Sequence, residues 1–255
     1  MKKTLLTLLS LASVSAFALP GTLMTETETL SGDIKWQARA KQYIISVKKG
    51  STMVDMERKL SDVTGLDIPK PANYDKAVGL VENGQGASAV AILQKIVADY
   101  RMLQWDKPAG RYLALAHIAA GNAQKAYDVC SAIINEDKSA AWSGDLAAAY
   151  WQSLLKLGKN DELEKLLKKA ASSASRQASA AALVMRGDII VANSNDAPDK
   201  LKQALRDGYL RVALMYLDQE CRSERAEAMR KAAGIFDKLG QSARAEKLRA
   251  QAKAI

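Results

Sequence analysis

One histidine, His117, and two cysteines, Cys130 and Cys221, leave this 255-residue chain few ways to do chemistry. A lone imidazole cannot supply a metal site that needs two, although it could stand as the base between a nucleophile and a carboxylate. The carboxylates offer little more. Glu136-Asp137 sits where a helix pattern ends, and DKSAAWSGD, residues 137–145, lacks the alternating acids of a calcium loop. The glycines stand singly, so none forms a strand-to-helix loop that could cradle phosphate. We therefore expect no catalytic residue, no metal site and no cofactor. The alternative is a cell-envelope enzyme, or a factor associated with peptidoglycan or carbohydrate, using Glu82 or Asp106 in an unrecognised site.

The elements that would position these residues follow from the glycines. GLVENGQGASAVAIL, LAHIAAGNAQKAYDVC and SLLKLGKNDELEKLL each hold a glycine between two apolar runs of helical spacing. Those glycines, Gly84, Gly121 and Gly158, recur every 37 residues, and one further step lands on Asn195. Asparagine is the usual substitute for glycine in the left-handed turn that ends a helix. Four residues before the hinges stand Leu80, His117, Leu154 and Val191. Five after stand Ala89, Ala126 and Leu163, and nine after stand Leu93, Cys130 and Leu167. Apolar residues at these offsets make one stripe on each helix of a hairpin. His117 and Cys130 fall on the stripes and are expected to pack rather than react.

This pattern, over roughly residues 71–207, resembles the tetratricopeptide repeat (TPR) family, whose unit is an antiparallel helix pair of about 34 residues. A further hairpin is expected at 225–254 with Gly240 as its hinge and Ala245 as its small residue. The chain departs from the family pattern in its longer period, in lacking the early-helix tryptophan and most repeat-closing prolines, and at Trp151, which stands where the first helix usually carries a small residue. The spacing predicts helices over 72–83 with 86–100, 107–120 with 122–135, 140–157 with 160–172, and 175–193 with 197–206. Others follow over 208–220, 223–239 and 242–254. Cys221 then lies about two to three helix layers of roughly 8–10 Å each from Cys130. Disulfide Cα atoms must approach within about 7 Å, so no disulfide is expected.

Residues 30–70 alternate apolar and polar types with period two, which predicts a small antiparallel β-meander module. Ile34 and Trp36 share one face, and Tyr43, Ile45 and Val47 another. Lys49-Gly50-Ser51 is a turn signal. A small SH3-like barrel is the alternative arrangement. Such a sheet needs a covering layer, most simply the first helix pair. Residues 19–29, rich in threonine and glutamate, are expected to form a flexible arm. Before them, Lys2-Lys3, an apolar run over 5–17 and Ala16-Phe17-Ala18 form the pattern of a bacterial secretory signal peptide cut after Ala18. The fold class expected is thus mainly α, an α-α hairpin solenoid over 71–255 behind a small β module.

Export implies a periplasmic or secreted protein, not membrane-spanning and kept from intracellular nucleic acid despite a net charge of +9. The partner expected is a protein or peptide of the cell envelope. In the resembled family the first helix of each pair lines the concave face. By that resemblance the partner-binding candidates are Tyr74, Val78, Arg111, Tyr112, Leu115, Gln152, Met185 and Arg186. The lysines and asparagines with which the family's best-known groove grips a C-terminal carboxylate are missing here. Trp105 and Trp142 fall in links between hairpins, where they would plug gaps or serve as anchors.

Overall fold

A computed structural model describes residues 18–255, so the expected leader lies outside the described residues except for Ala18. The chain divides into two compact units, one over residues up to 69 with 99–104, the other over 70–98 with 105–255.

In the first unit, period-two alternation produces a five-stranded antiparallel sheet. Its strands are β1 (Leu19–Thr25), β2 (Thr29–Gln37), β3 (Gln42–Lys49), β4 (Thr52–Lys59) and β5 (Val63–Asp67), in the order β4-β3-β2-β1-β5. Ile34 stands opposite Ile45 and Trp36 opposite Tyr43, with the two rings 4.8 Å apart, so the buried face of β2 meets that of β3. Gly50, at φ 64, and Ser51 form the two-residue turn joining β3 to β4. The expected flexible arm is wrong: residues 19–25 are strand β1, paired on both sides by β2 and β5. Threonine suits a pleated surface, and Leu23 is fully buried. Thr25 and Glu28 close the β1–β2 turn, whose Glu28 pairs with Arg58.

The sheet is also more than a meander. β5 leaves β4 through a 3-10 turn, Leu60–Asp62, and crosses to the far edge beside β1. Within this unit, cover comes from the link 99–104, where Met102 and Leu103 are buried. The Tyr43 hydroxyl donates to the Met102 carbonyl at 2.9 Å, and the Ile68 N–H to the Gln104 side chain at 2.8 Å.

The second unit is built from α-hairpins. Its first four pairs begin with α1 (Tyr74–Glu82) and α2 (Gly86–Asp99), then α3 (Asp106–Ala119) and α4 (Ala123–Glu136). Next come α5 (Ala147–Lys156) and α6 (Asn160–Ala171), then α7 (Arg176–Ala192) and α8 (Pro198–Ala204). After α9 (Leu210–Met215), α10 (Arg222–Lys238) and α11 (Ser242–Ala254) make the last hairpin. Gly84, Gly121, Gly158 and Gly240 have φ between 68 and 78. At each, the next N–H reaches back to the carbonyl four residues before the glycine: Gln85 to Leu80, Asn122 to His117, Lys159 to Leu154, and Gln241 to Phe236. The glycine's own N–H bonds the carbonyl three before it. This double closure ends the helix and turns the chain. The fourth hinge also turns through left-handed residues, Asn195 at φ 47 and Asp196 at φ 57.

The stripes pack as the spacing requires. Ala89, Ala126, Leu93, Cys130, Leu163 and Leu167 are all buried. Cys130 and Cys221 are buried free thiols in separate apolar clusters. Burial raises the Cys130 pKa to about 12, so the thiol stays protonated and inert.

Two boundaries differ from expectation. α5 begins at 147 rather than 140, because Gly144 at φ 80 breaks the path after a 3-10 turn, Lys138–Ala141. That turn leaves the Ala141 carbonyl facing Trp151, whose indole N–H donates to it at 2.8 Å. The large ring at the small position is thus fully buried and satisfied. The expected break at 207 is instead a π-turn, Leu205–Tyr209, carrying α8 into α9 without interruption, and α9 stops at Met215 rather than 220. At the π-turn a Cβ added to Gly208 would stand 2.8 Å from the Gly187 Cα, so α7 and the π-turn touch through two glycines.

Candidate functional site

The first helices of successive hairpins bring four of the candidates together. Trp105, just ahead of α3, packs its ring 5.1 Å from Tyr74 on α1. Tyr74 meets the edge of Tyr112 on α3 at 6.2 Å, and the Arg111 guanidinium stands 5.6 Å from the Tyr112 ring. The Tyr112 hydroxyl points to Glu82 at 3.4 Å. Arg111 and Gln152 of α5 then share a seam with Asp145, completing a half-exposed run across α1, α3 and α5. Burial raises the pKa of both tyrosines, with Arg111 opposing the shift and carboxylates (Asp145 for each) adding to it. They are neutral phenols at pH 7, able to donate and accept hydrogen bonds.

The other candidates are placed differently. Met185 is 2% exposed and belongs to the core, touching the seam only from beneath. Leu115 also packs against that core, and Val78 is half-buried on α1. Arg186, next to Met185 in sequence, faces another depression, which it shares with Arg206 and Arg211. Offsets from the hinge locate a helix turn well but divide adjacent residues between faces poorly, since each step rotates the side chain by about 100°. Trp142 lies under the Lys169 ammonium, 3.3 Å from its ring centre, and packs on the core as a plug.

Where α3, α5, α7 and α10 meet, the seam is acidic, with Asp145, Asp188, Glu224 and Glu227 around Arg111. It leaves about 30 Å³, room for a single water. Asp188 accepts from the Tyr209 hydroxyl at 2.7 Å and from Lys231 at 2.5 Å, and Lys231 also meets Glu227 at 3.0 Å. Burial pushes the Asp188 carboxyl up in spite of Lys231 and Tyr209. Burial disfavours the Lys231 ammonium, but Glu227 and Asp188 outweigh it and raise its pKa. Glu224 accepts from the Gln177 amide at 3.0 Å, and its second oxygen is buried with no partner.

Glu224 and Glu227 were missed because α10 lies outside the 37-residue register, and Asp188 although it lies within it. One signal was available: seven residues before the hinges stand Ala77, Ala114, Trp151 and Asp188, and an acid in that series is out of place.

His117 is 7% exposed, and burial together with the Lys125 ammonium holds its pKa below the ordinary range. No hydroxyl or carboxylate bonds its ring among the described residues. Nor do those residues contain a group of three or more His, Cys, Asp or Glu able to hold a metal, or a helix long and apolar enough to cross a membrane. The arrangement can offer aromatic faces, a guanidinium, an amide and carboxylate acceptors to a surface laid against it.

No protein-family model and no curated protein matches the chain. Among solved structures it is similar to a Podosopora anserina protein described as having nearly identical TPR-like repeats of kinesin light chain type. That protein is 18% identical at a TM-score of 0.40, covering 72% of this chain and 92% of that one. MamA AMB-1 is 16% identical at a TM-score of 0.37, covering 72% of this chain and 96% of that one. Such values describe the path of the chain and nothing of its work; the helix-hairpin architecture rests on the hinges and stripes themselves.

Proposed function

We propose that this is a non-catalytic scaffold protein of the bacterial cell envelope, which binds a protein or extended peptide across the first helices of its hairpins. The observation that carries the proposal is the unbroken run Trp105–Tyr74–Tyr112–Arg111, continued to Gln152. Tyrosine, tryptophan and arginine are the types that dominate binding energy at interfaces. Here they are half-exposed and held by one another, so little side-chain entropy remains to be lost on binding. The seam beneath is too small for a substrate, which favours contact along a surface over enclosure of a small molecule. The leader pattern at the N-terminus supports export.

The test is affinity capture from envelope extract using the purified chain, beside a variant carrying Tyr112→Ala and Gln152→Ala, both half-exposed. The wild type should retain one protein in stoichiometric amount, and the variant should retain it about tenfold or more weakly with its melting temperature little changed. Equal retention by both would remove this face from the function.

A further inference from the structure

A second surface, independent of that face, lies toward the C-terminal end of the helical unit. Between the α8–α9 run and the hinge of the last hairpin is a groove of about 630 Å³. Leu205 and Phe236 form its buried floor, with Leu210 and Leu239 half-buried above them. One wall is open apolar surface: Leu214 is 69% and Met215 62% exposed, and Leu217, just beyond, is 64% exposed. Three of the six large hydrophobic residues most exposed in the described chain are thus gathered in four positions. Water-facing apolar surface this concentrated marks a contact site more often than chance.

The rim has one sign. Lys202, Arg206, Arg211 and Arg244 line the groove, and no carboxylate does. Arg206 is held by Asp207 and Lys202 reaches Asp199 at 3.9 Å; among the described residues no carboxylate forms an ion pair with Arg244, and Arg211 feels Asp207 only at longer range. Arg244 is instead positioned by the Gln241 side chain at 2.7 Å, with its guanidinium 5.8 Å from the Phe236 ring. A local fold feature aims these groups. The π-turn at 205–209 lies in the groove's wall and shifts the phase of Leu210, Arg211 and Leu214 relative to a continuous α-helix. Single π-turns inside helices recur at functional sites.

We propose that this groove docks an amphipathic helix of a partner protein whose apolar stripe is flanked by acidic residues. The argument for a helix is geometric. The run from Lys202 to Met215 is roughly 20 Å long at helical rise, which matches three to four turns of a ligand helix laid along it. The groove is open along one side, so an acyl chain lying in it would keep much of its surface wet and recover little hydrophobic free energy. An amphipathic helix has a polar side that belongs in water. The argument for acidity is complementarity, because four cations line the groove with no carboxylate among them, and such a rim repels a basic helix and draws an acidic one.

The experiment measures fluorescence anisotropy of a labelled eighteen-residue helical peptide with a leucine stripe flanked by glutamates, titrated with the full chain. A peptide with lysine at every glutamate position is run in parallel. The acidic peptide should bind, more weakly as salt rises, and the basic peptide should bind at least about tenfold more weakly. Leu214→Glu and Arg211→Glu should each reduce binding of the acidic peptide by about tenfold. Both side chains are exposed, so an unchanged melting temperature shows that the variants fold. Reversal of preference by the double charge swap, Arg211→Glu with Arg244→Glu, would be direct support. The proposal is overturned if neither peptide binds, or if both bind equally. It is overturned too if Leu214→Glu affects only sedimentation of the chain with phosphatidylglycerol vesicles or only its self-association.

Discussion

At the hinges the backbone, not the side chain, decides what residue is allowed. A Cβ at Gly121 would meet nothing within 4 Å, yet its φ of 78 is one that other residues adopt only with strain. Gly121→Ala should therefore cost about 1 kcal/mol through conformation alone. Gly79 in α1 and Gly234 in α10 also face open space but have ordinary helical backbones. Alanine at either should stabilise by about 0.5–1 kcal/mol. Urea denaturation of the three variants reads the contrast, and a Gly121→Ala protein as stable as wild type would contradict the hinge.

His117 gives a second prediction at this scale. Its folded-state pKa lies below the value in the unfolded chain, so below pH 6.5 the unfolded state takes up the proton first. The stability due to the neutral ring is fully present above that pH and declines as pH falls through the depressed folded value. His117→Leu, matching Leu80 and Leu154, should remove this part of the loss between pH 7.5 and 5.5. The difference between the two pH profiles isolates it from the carboxyls, which titrate in both proteins.

At the scale of elements, the hairpins were legible because glycine hinges and apolar stripes are local signals repeated at constant pitch. β1 was not, since its strand character comes from partners on both sides rather than from its own threonines. The π-turn was hidden for a related reason: it depends on Gly187 and Gly208 meeting across elements, and Tyr209 reaching Asp188, none of which one stretch of sequence reveals. The candidate face was half legible. Offsets from the hinge placed Tyr74, Arg111, Tyr112 and Gln152 on neighbouring first helices, whereas Asp145 and the acids of α10 join them only through tertiary contact. The ion cluster tying α7 to α10 should behave accordingly. Lys231→Met leaves Asp188 and Glu227 facing each other without a cation and should cost about 2–3 kcal/mol. Adding Asp188→Asn should restore part of that stability, a coupling that chemical denaturation of the four proteins in the cycle measures. Strict additivity would mean the pair does not act as a unit.

For the whole molecule, the proposal is that the chain works through the surface its hairpins present. That claim is tested most directly by site-specific photo-crosslinking in living cells, with a benzoylphenylalanine placed at Gln152 on α5 or at exposed Lys165 on α6. The account predicts one discrete protein adduct from position 152, lost when Tyr112→Ala is added, and none from position 165. Equal adducts from both positions, or none from 152 with the protein at its native level, would contradict it.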